Sequence, residues 1–384
     1  MKQIFLITII AIFLIFPFSK TANGLGKSVA KKTTGLQFPY ILDTETYSLN
    51  VRNVNALKAR GRYLWIGTVK GIIQFNINSA NGYKLFDNKN GLLSNGVFAI
   101  AIDEDQTPWV GTYGGGLSRF TGKTWDNINT PHGLADSFVF DIQFTDDGVW
   151  VATWSGANYF KGNPLKGSKM KTFTVENTNK GLIDNWVYAI QLGKNGEVWF
   201  GTEKGISLLN QGSWNSWTNK DGLGASFEVV EKENQDATSD FQGSHHSLYP
   251  THGQASPNYR PNYVLAMQLD SQDKLWIGTW GGGLSLFNHK KKTFRNFTQK
   301  DGLPGNYILA LKEGPNGNLW IGTNKGLSRF NGETFENYST LNGLISDFIF
   351  SIEFTLDHSV WLGGYYGFNQ LSMEPGTGKL AIID

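Results

Sequence analysis

The chain has 384 residues, a formal net charge of +2, 46 glycines, 13 tryptophans, 14 tyrosines, 26 phenylalanines and no cysteine. An aromatic share of 14% against 17% charged residues excludes a disordered chain. The missing cysteine excludes a disulfide framework, a thiol nucleophile, a Cys-ligated metal and a lipid anchor on an N-terminal Cys.

The first element in chain order is an export signal. Lys2 precedes an apolar run from Ile4 to Phe18, interrupted only by Thr8. That run is short for a membrane span, which needs about 20 residues, but it suits the core of a signal peptide. Ala22-Asn23-Gly24 supplies small residues for cleavage after Gly24. The expected organisation is a signal peptide over 1–24, an exposed segment over 25–36 and one domain over 37–384. The expected location is periplasmic or secreted, with an uncleaved membrane anchor as the alternative. With 1–24 removed, basic and acidic residues balance. A nucleic-acid partner is therefore not expected, because such a partner needs a basic footprint.

The remainder is a repeat. Trp, an apolar residue, Gly and Thr recur as Trp65 to Thr68, Trp109 to Thr112, Trp199 to Thr202, Trp276 to Thr279 and Trp320 to Thr323. Trp150-Val151-Ala152-Thr153 and Trp361-Leu362-Gly363-Gly364 are variants. The spacings between the seven tryptophans are 44, 41, 49, 77, 44 and 41 residues. A period near 40–50 residues is that of a blade-sized unit. In the sixth repeat, Tyr307–Lys312, Leu319–Thr323, Leu327–Phe330 and Thr334–Tyr338 read as four strands, separated by turn signals such as Gly314-Pro315-Asn316-Gly317 and Asn331-Gly332. The expected fold is all-β, a seven-bladed β-propeller of four-stranded antiparallel blades. A stacked solenoid is the alternative.

Leu319 to Leu327 and Asp301-Gly302-Leu303-Pro304-Gly305-Asn306 resemble the two-component regulator propeller repeat. The resemblance covers about residues 37–384. It implies an extracytoplasmic sensor propeller of the kind found in hybrid histidine kinases, many of which are thought to sense polysaccharide fragments. In this chain no kinase segment follows the repeats, which puts a direct part in phosphotransfer in doubt.

Both ends offer a strand to close the ring: Phe38-Pro39-Tyr40-Ile41, or the segment from Gly376 to Ile383. The N-terminal strand is preferred, because it would staple the ring and remove an unpaired edge.

Ten tryptophans have structural roles by position. Seven are the repeat tryptophans, and Trp125, Trp214 and Trp217 occupy outer-strand sites. Trp154, Trp186 and Trp280 are surplus. After the repeat Thr come Val69, Tyr113, Trp154, Glu203, Trp280 and Asn324, with Tyr365 after Gly364. At the head of the innermost strand come Val54, Gly96, Phe138, Trp186, Tyr263, Tyr307 and Phe348. The turn between second and third strands and the crossover into the next blade open on the same face. Tyr113, Trp154, Trp280, Tyr365, Phe138, Trp186, Tyr263, Tyr307 and Phe348 are thus the candidate ligand-binding residues. Flat rings suit the C–H faces of sugars or other planar or apolar ligands. The competing reading is that the rings pack on one another and plug the channel. Lys70, Lys204 and Lys325 lie in the corresponding turns and either read an acidic sugar or are solvated.

Residues 226–260 form an insertion that carries His245, His246 and His252 among acidic residues. A lid or partner-contacting loop is the reading of this segment, and its histidine spacing matches no metal motif. Asp103-Glu104-Asp105, Asp146-Asp147 and Asp270 lie in turns, where ordinary turn chemistry accounts for them. Asp141 on an innermost strand is a lone carboxylate, not a catalytic pair. No nucleophile elbow, zinc-protease helix or phosphate loop is present. The expected function is therefore non-enzymatic, with no cofactor and no metal. It is binding of a small molecule or oligosaccharide, or of a membrane signalling partner, on the aromatic face. A propeller lyase or lactonase and a protein-interaction scaffold are the alternatives.

Overall fold

The computed structural model describes residues 40–79, 82–234, 259–374, 376–377 and 379–383. These belong to one compact unit, Pro39–Asp384. The expected signal peptide over 1–24, residues 25–36 and His245, His246 and His252 lie outside the described residues. Among the described residues no helix is long and apolar enough to cross a membrane.

The strands follow the repeat. In the sixth, Ile308–Glu313, Leu319–Thr323, Gly326–Phe330 and Phe335–Tyr338 pair antiparallel in sequence order. Repeats two to six each build one such four-stranded sheet.

The expectation of seven separate four-stranded blades is corrected: among the described residues the blade sheets number six, five four-stranded and one six-stranded. The six-stranded sheet runs Ser351–Phe354, Ser359–Ser372, Thr44–Arg60, Tyr63–Thr68, Gly71–Asn76, Tyr83–Phe86. It merges the first and last repeats. The cause is one unbroken 17-residue strand, Thr44–Arg60. Its first part pairs with the last repeat, Thr44 with Leu371 through Ser48 with Gly367. Its second part pairs with the first repeat, Val54 with Thr68 through Arg60 with Tyr63. The chain thus joins its two ends through backbone hydrogen bonds and leaves no gap between them.

The closing residues are Thr44 to Ser48, not 38–41. Ile41–Leu42 instead pairs with Ile382–Ile383 in a separate two-stranded sheet, so the C-terminal segment does not complete a blade.

The repeat residues earn their positions by packing. All seven repeat tryptophans are buried, Trp150 being the most exposed at 6%. The motif glycine lets neighbouring repeats approach. A Cβ on Gly67 would meet Val97 Cγ1 at 2.8 Å, one on Gly201 would meet Val264 Cγ1 at 2.7 Å, and one on Gly363 would meet Val54 Cγ1 at 2.6 Å. The motif threonine ties the second-to-third-strand turn: Thr323 Oγ1 donates to Gly326 O (2.8 Å) and accepts from Lys325 N (3.0 Å). The crossover asparagine folds back in turn, Asn306 Oδ1 accepting from Gln299 N at 3.0 Å.

The insertion departs from pure β structure. It opens with one helix, Phe227–Asn234. Tyr259 re-enters beside it, its hydroxyl donating to Ala225 O (2.6 Å) and its ring 5.3 Å from Phe227.

Candidate functional site

The two aromatic columns meet because of strand register. The residue after the motif Thr in one repeat bridges to the innermost-strand head of the next: Tyr113 with Phe138, and Trp280 with Tyr307. At the junction of the ends, Tyr365 pairs with Asn53. Asn53, not Val54, is therefore the head residue of the first repeat, since Val54 occupies the next position, opposite Thr68.

The nine candidate residues fall into one connected set of rings. Tyr263, Trp280, Tyr307 and Phe348 are buried in a cluster with Tyr188, against which Trp154 and Tyr365 pack half-buried. Phe138 stacks on Trp154 (4.5 Å, 20° between planes), and Trp154 stacks on Trp186 (5.4 Å, 20°). Tyr113 meets Phe138 edge-on at 4.4 Å. Trp280 lies between Tyr263 (5.6 Å) and Tyr307 (5.4 Å). Phe348 and Tyr365 approach to 4.8 Å. Each such contact is worth about 0.5–1.5 kcal/mol beyond its buried area.

The set has a floor and a platform. Tyr263, Trp280, Tyr307 and Phe348 are buried in one cluster. Trp186 is 39% exposed and stacks on Trp154, which stacks in turn on Phe138. Tyr113, Phe138, Trp154 and Tyr365 are half-buried.

A second ring of residues was missed by the column reading. Phe98, Phe140, Tyr188 and Phe350 sit two positions along the innermost strands from the head residues. Phe140 touches Trp154 (5.5 Å) and Tyr188 (5.0 Å) and so links the platform to the floor. Phe98, Phe140 and Tyr188 each sit at a β-bulge, between Val97 and Ala99, Val139 and Asp141, and Val187 and Ala189, an irregularity that strand alternation in the sequence does not mark. Tyr366 was also missed; it is 63% exposed beside Tyr365.

Charged groups lie close to Tyr188 and Tyr263 in the fourth and fifth repeats. Arg260 Nη1 lies 2.9 Å from Glu203 Oε1, and Lys204 Nζ lies 3.3 Å from the buried Asp184. Burial pushes the Glu203 carboxyl above its usual range, partly offset by Arg260. Burial also raises the phenols of Tyr188, Tyr263 and Tyr307, so all three stay neutral at physiological pH. Of the turn lysines, Lys204 is thus paired, and Lys70 donates to Asn50 O at 2.6 Å.

The turn carboxylates do ordinary work. Asp103 accepts from Trp109 Nε1 (2.8 Å), Thr107 N and Arg119, and Asp270 accepts from Trp276 Nε1 (2.9 Å). The inserted helix borders the aromatic face. Asn306, next to Tyr307, donates to Glu233 (2.7 Å), and Lys300 donates to Val229 O.

A family profile described as two component regulator propeller matches residues 181–204, 258–281 and 302–325. Histidine kinase P4 of Formosa agariphila is 26% identical over 248 residues, covering 62% of this chain and 15% of that protein. The extracellular domain of a hybrid two-component system from B. thetaiotaomicron shares the fold at 21% identity and a TM-score of 0.68, over 87% of this chain and 41% of that one. Virginiamycin B lyase from Staphylococcus aureus shares it at 13% identity and a TM-score of 0.60, over 87% of this chain and all of the other. The chain thus spans less than half of the histidine kinase and of the two-component extracellular domain. Three of its repeats thus match the two component regulator propeller model, and the chain shares its propeller fold with the extracellular domain of a two-component system.

Proposed function

We propose that this chain is an exported, non-enzymatic sensor propeller, and that its aromatic face captures a carbohydrate-like or other flat, C–H-rich ligand for a two-component signalling partner. The observation that carries the reading is the stack Phe138–Trp154–Trp186, in which the Trp186 ring is 39% exposed. A tryptophan backed by two parallel rings is held flat at little entropic cost, and an exposed aromatic collection on one face suits ligand capture. The Glu203–Arg260 pair near Tyr263 supplies an acceptor and donors for hydroxyl groups. The family supports signalling as the context, since the relatives include a histidine kinase and an extracellular domain of a two-component system.

The test is a glycan array, followed by titration of the strongest ligand against native protein and Trp186→Ala. Loss of a central aromatic anchor costs ~2 kcal/mol or more, a rise in Kd of about thirtyfold. Binding unchanged in Trp186→Ala would remove the platform from the reading. Chromatography of the recovered ligand addresses the lyase alternative: the sensor reading requires it to be returned intact.

A further inference from the structure

The first-to-second-strand turns lie at the channel end opposite the aromatic mouth, and a basic site is built there at the junction of the chain's two ends. Lys312 Nζ lies 2.8 Å from Glu353 Oε2, and Lys58 Nζ lies 3.9 Å from Glu353 Oε1. That carboxylate is nearly buried, with its side chain 8% exposed, and it also accepts from Ala59 N (3.3 Å). One carboxylate therefore serves two ammonium groups. Burial lowers the Lys58 ammonium below its usual range, with Lys312 adding to the effect and Glu353 and Asp141 opposing it.

Arg60 follows Lys58 by two residues on the same strand, in unbroken register opposite Tyr63, and so lies on the same face. Arg60 and Arg62 line a cavity of about 490 Å³ together with Glu353, Phe354 and Asp357. Among the described residues neither arginine is in an ion pair. Arg62 donates to Tyr63 Oη (3.0 Å) and lies over that ring. Asp357 accepts from Thr355 Oγ1 and from Ser359 N (3.2 Å), within its own turn. The lining thus carries two arginines and two engaged carboxylates, with Lys58 and Lys312 bound to Glu353 outside it, while Asp141 is hydrogen-bonded to Ile142, Gln143 and Ile190.

We propose that this cavity binds a small oxyanion, held by the guanidinium groups of Arg60 and Arg62 with Lys58 behind them. Guanidinium forks match carboxylate, sulfate and phosphate oxygens in pairs, and the cavity has room for such a group on a larger molecule. The site is separate from the aromatic face and does not depend on what that face binds.

The test is thermal melting and calorimetric titration of the full chain with sodium sulfate, phosphate and acetate, with sodium chloride holding ionic strength constant. A saturable rise in Tm is expected through linkage, with Kd raised at least tenfold in Arg60→Gln/Arg62→Gln. Response to sulfate and phosphate alone assigns a free inorganic anion; a stronger response to acetate assigns a carboxylate carried on an organic ligand. Trp186→Ala should leave the response unchanged, which separates this site from the aromatic one. A melting shift no larger than that of chloride, or one retained in the double arginine variant, would overturn the proposal. The surface position of both arginines lets that variant fold, and its unchanged melting temperature without anion is the control.

Discussion

At the scale of single residues, identical side chains divide by position. Trp320 is buried in its core cluster, whereas Trp186 stacks on Trp154 and is 39% exposed. Trp320→Ala should cost ~3–5 kcal/mol of stability because it empties a packed site. Trp186→Ala should lower Tm by far less, and differential scanning calorimetry of both variants checks the division. Asp141 gives a second residue-scale prediction. It faces Ala152, whereas the other repeats place Ala or Ser opposite the motif glycine, as in Ala310 opposite Gly322 and Ser351 opposite Gly363. Burial in the channel pushes its carboxyl up to about 6, against partial compensation from three hydrogen bonds and Lys58. Its unfolded value is near 3.8. The folded form therefore binds the proton more tightly between those two values, and stability from this group falls as pH rises from about 4 to about 6. The Tm of native protein minus that of Asp141→Ala should be larger at pH 4 than at pH 7; the reverse order would contradict the assignment.

At the scale of elements, the strand Thr44–Arg60 decides how the ends meet. A chain beginning at residue 50 loses the pairing of Thr44 to Ser48 with Gly367 to Leu371 and exposes an unpaired edge. Its melting should be earlier and less cooperative, and size-exclusion chromatography should show association through that edge. A truncated chain that melts like the native one would show that the joining strand adds nothing. A matching prediction concerns close approach. Gly201→Val should destabilise by a few kcal/mol, because its Cβ already meets Val264 at 2.7 Å.

The legibility of the sequence divides along the same line. The repeat tryptophans, glycines and threonines were readable because each recurs at a fixed offset, and every one of them packs or bonds locally. The merged six-stranded sheet was not. Nothing between Leu49 and Arg52 marks whether the strand breaks, and only pairing to residues more than 300 positions away keeps it whole. The head residue of the first repeat was misread by one position, as Val54, because Asn53 lacks the aromatic that marks the heads of repeats three to seven. The convergence of the nine rings followed from topology. Which of them lie under the surface did not, since that depends on how Phe140 and Tyr188 fill the space between platform and floor. The helix Phe227–Asn234 carried only a weak amphipathic signal, and it is held from outside itself by Lys300 and Asn306.

At the scale of the whole molecule, the ring presents two unlike ends: an aromatic platform where the turns carry Trp and Tyr, and a basic cavity where the chain's ends join. The central claim is that the aromatic end is a binding surface, not merely a plug. The most direct measurement is a paired titration of the array-selected ligand against native protein, Trp186→Ala and Trp320→Ala, each melted beforehand under the same conditions. The account predicts that Trp186→Ala melts close to native and binds about thirtyfold more weakly, while Trp320→Ala melts much earlier. Trp186→Ala that melts as early as Trp320→Ala, or that melts like native and binds like native, would contradict it.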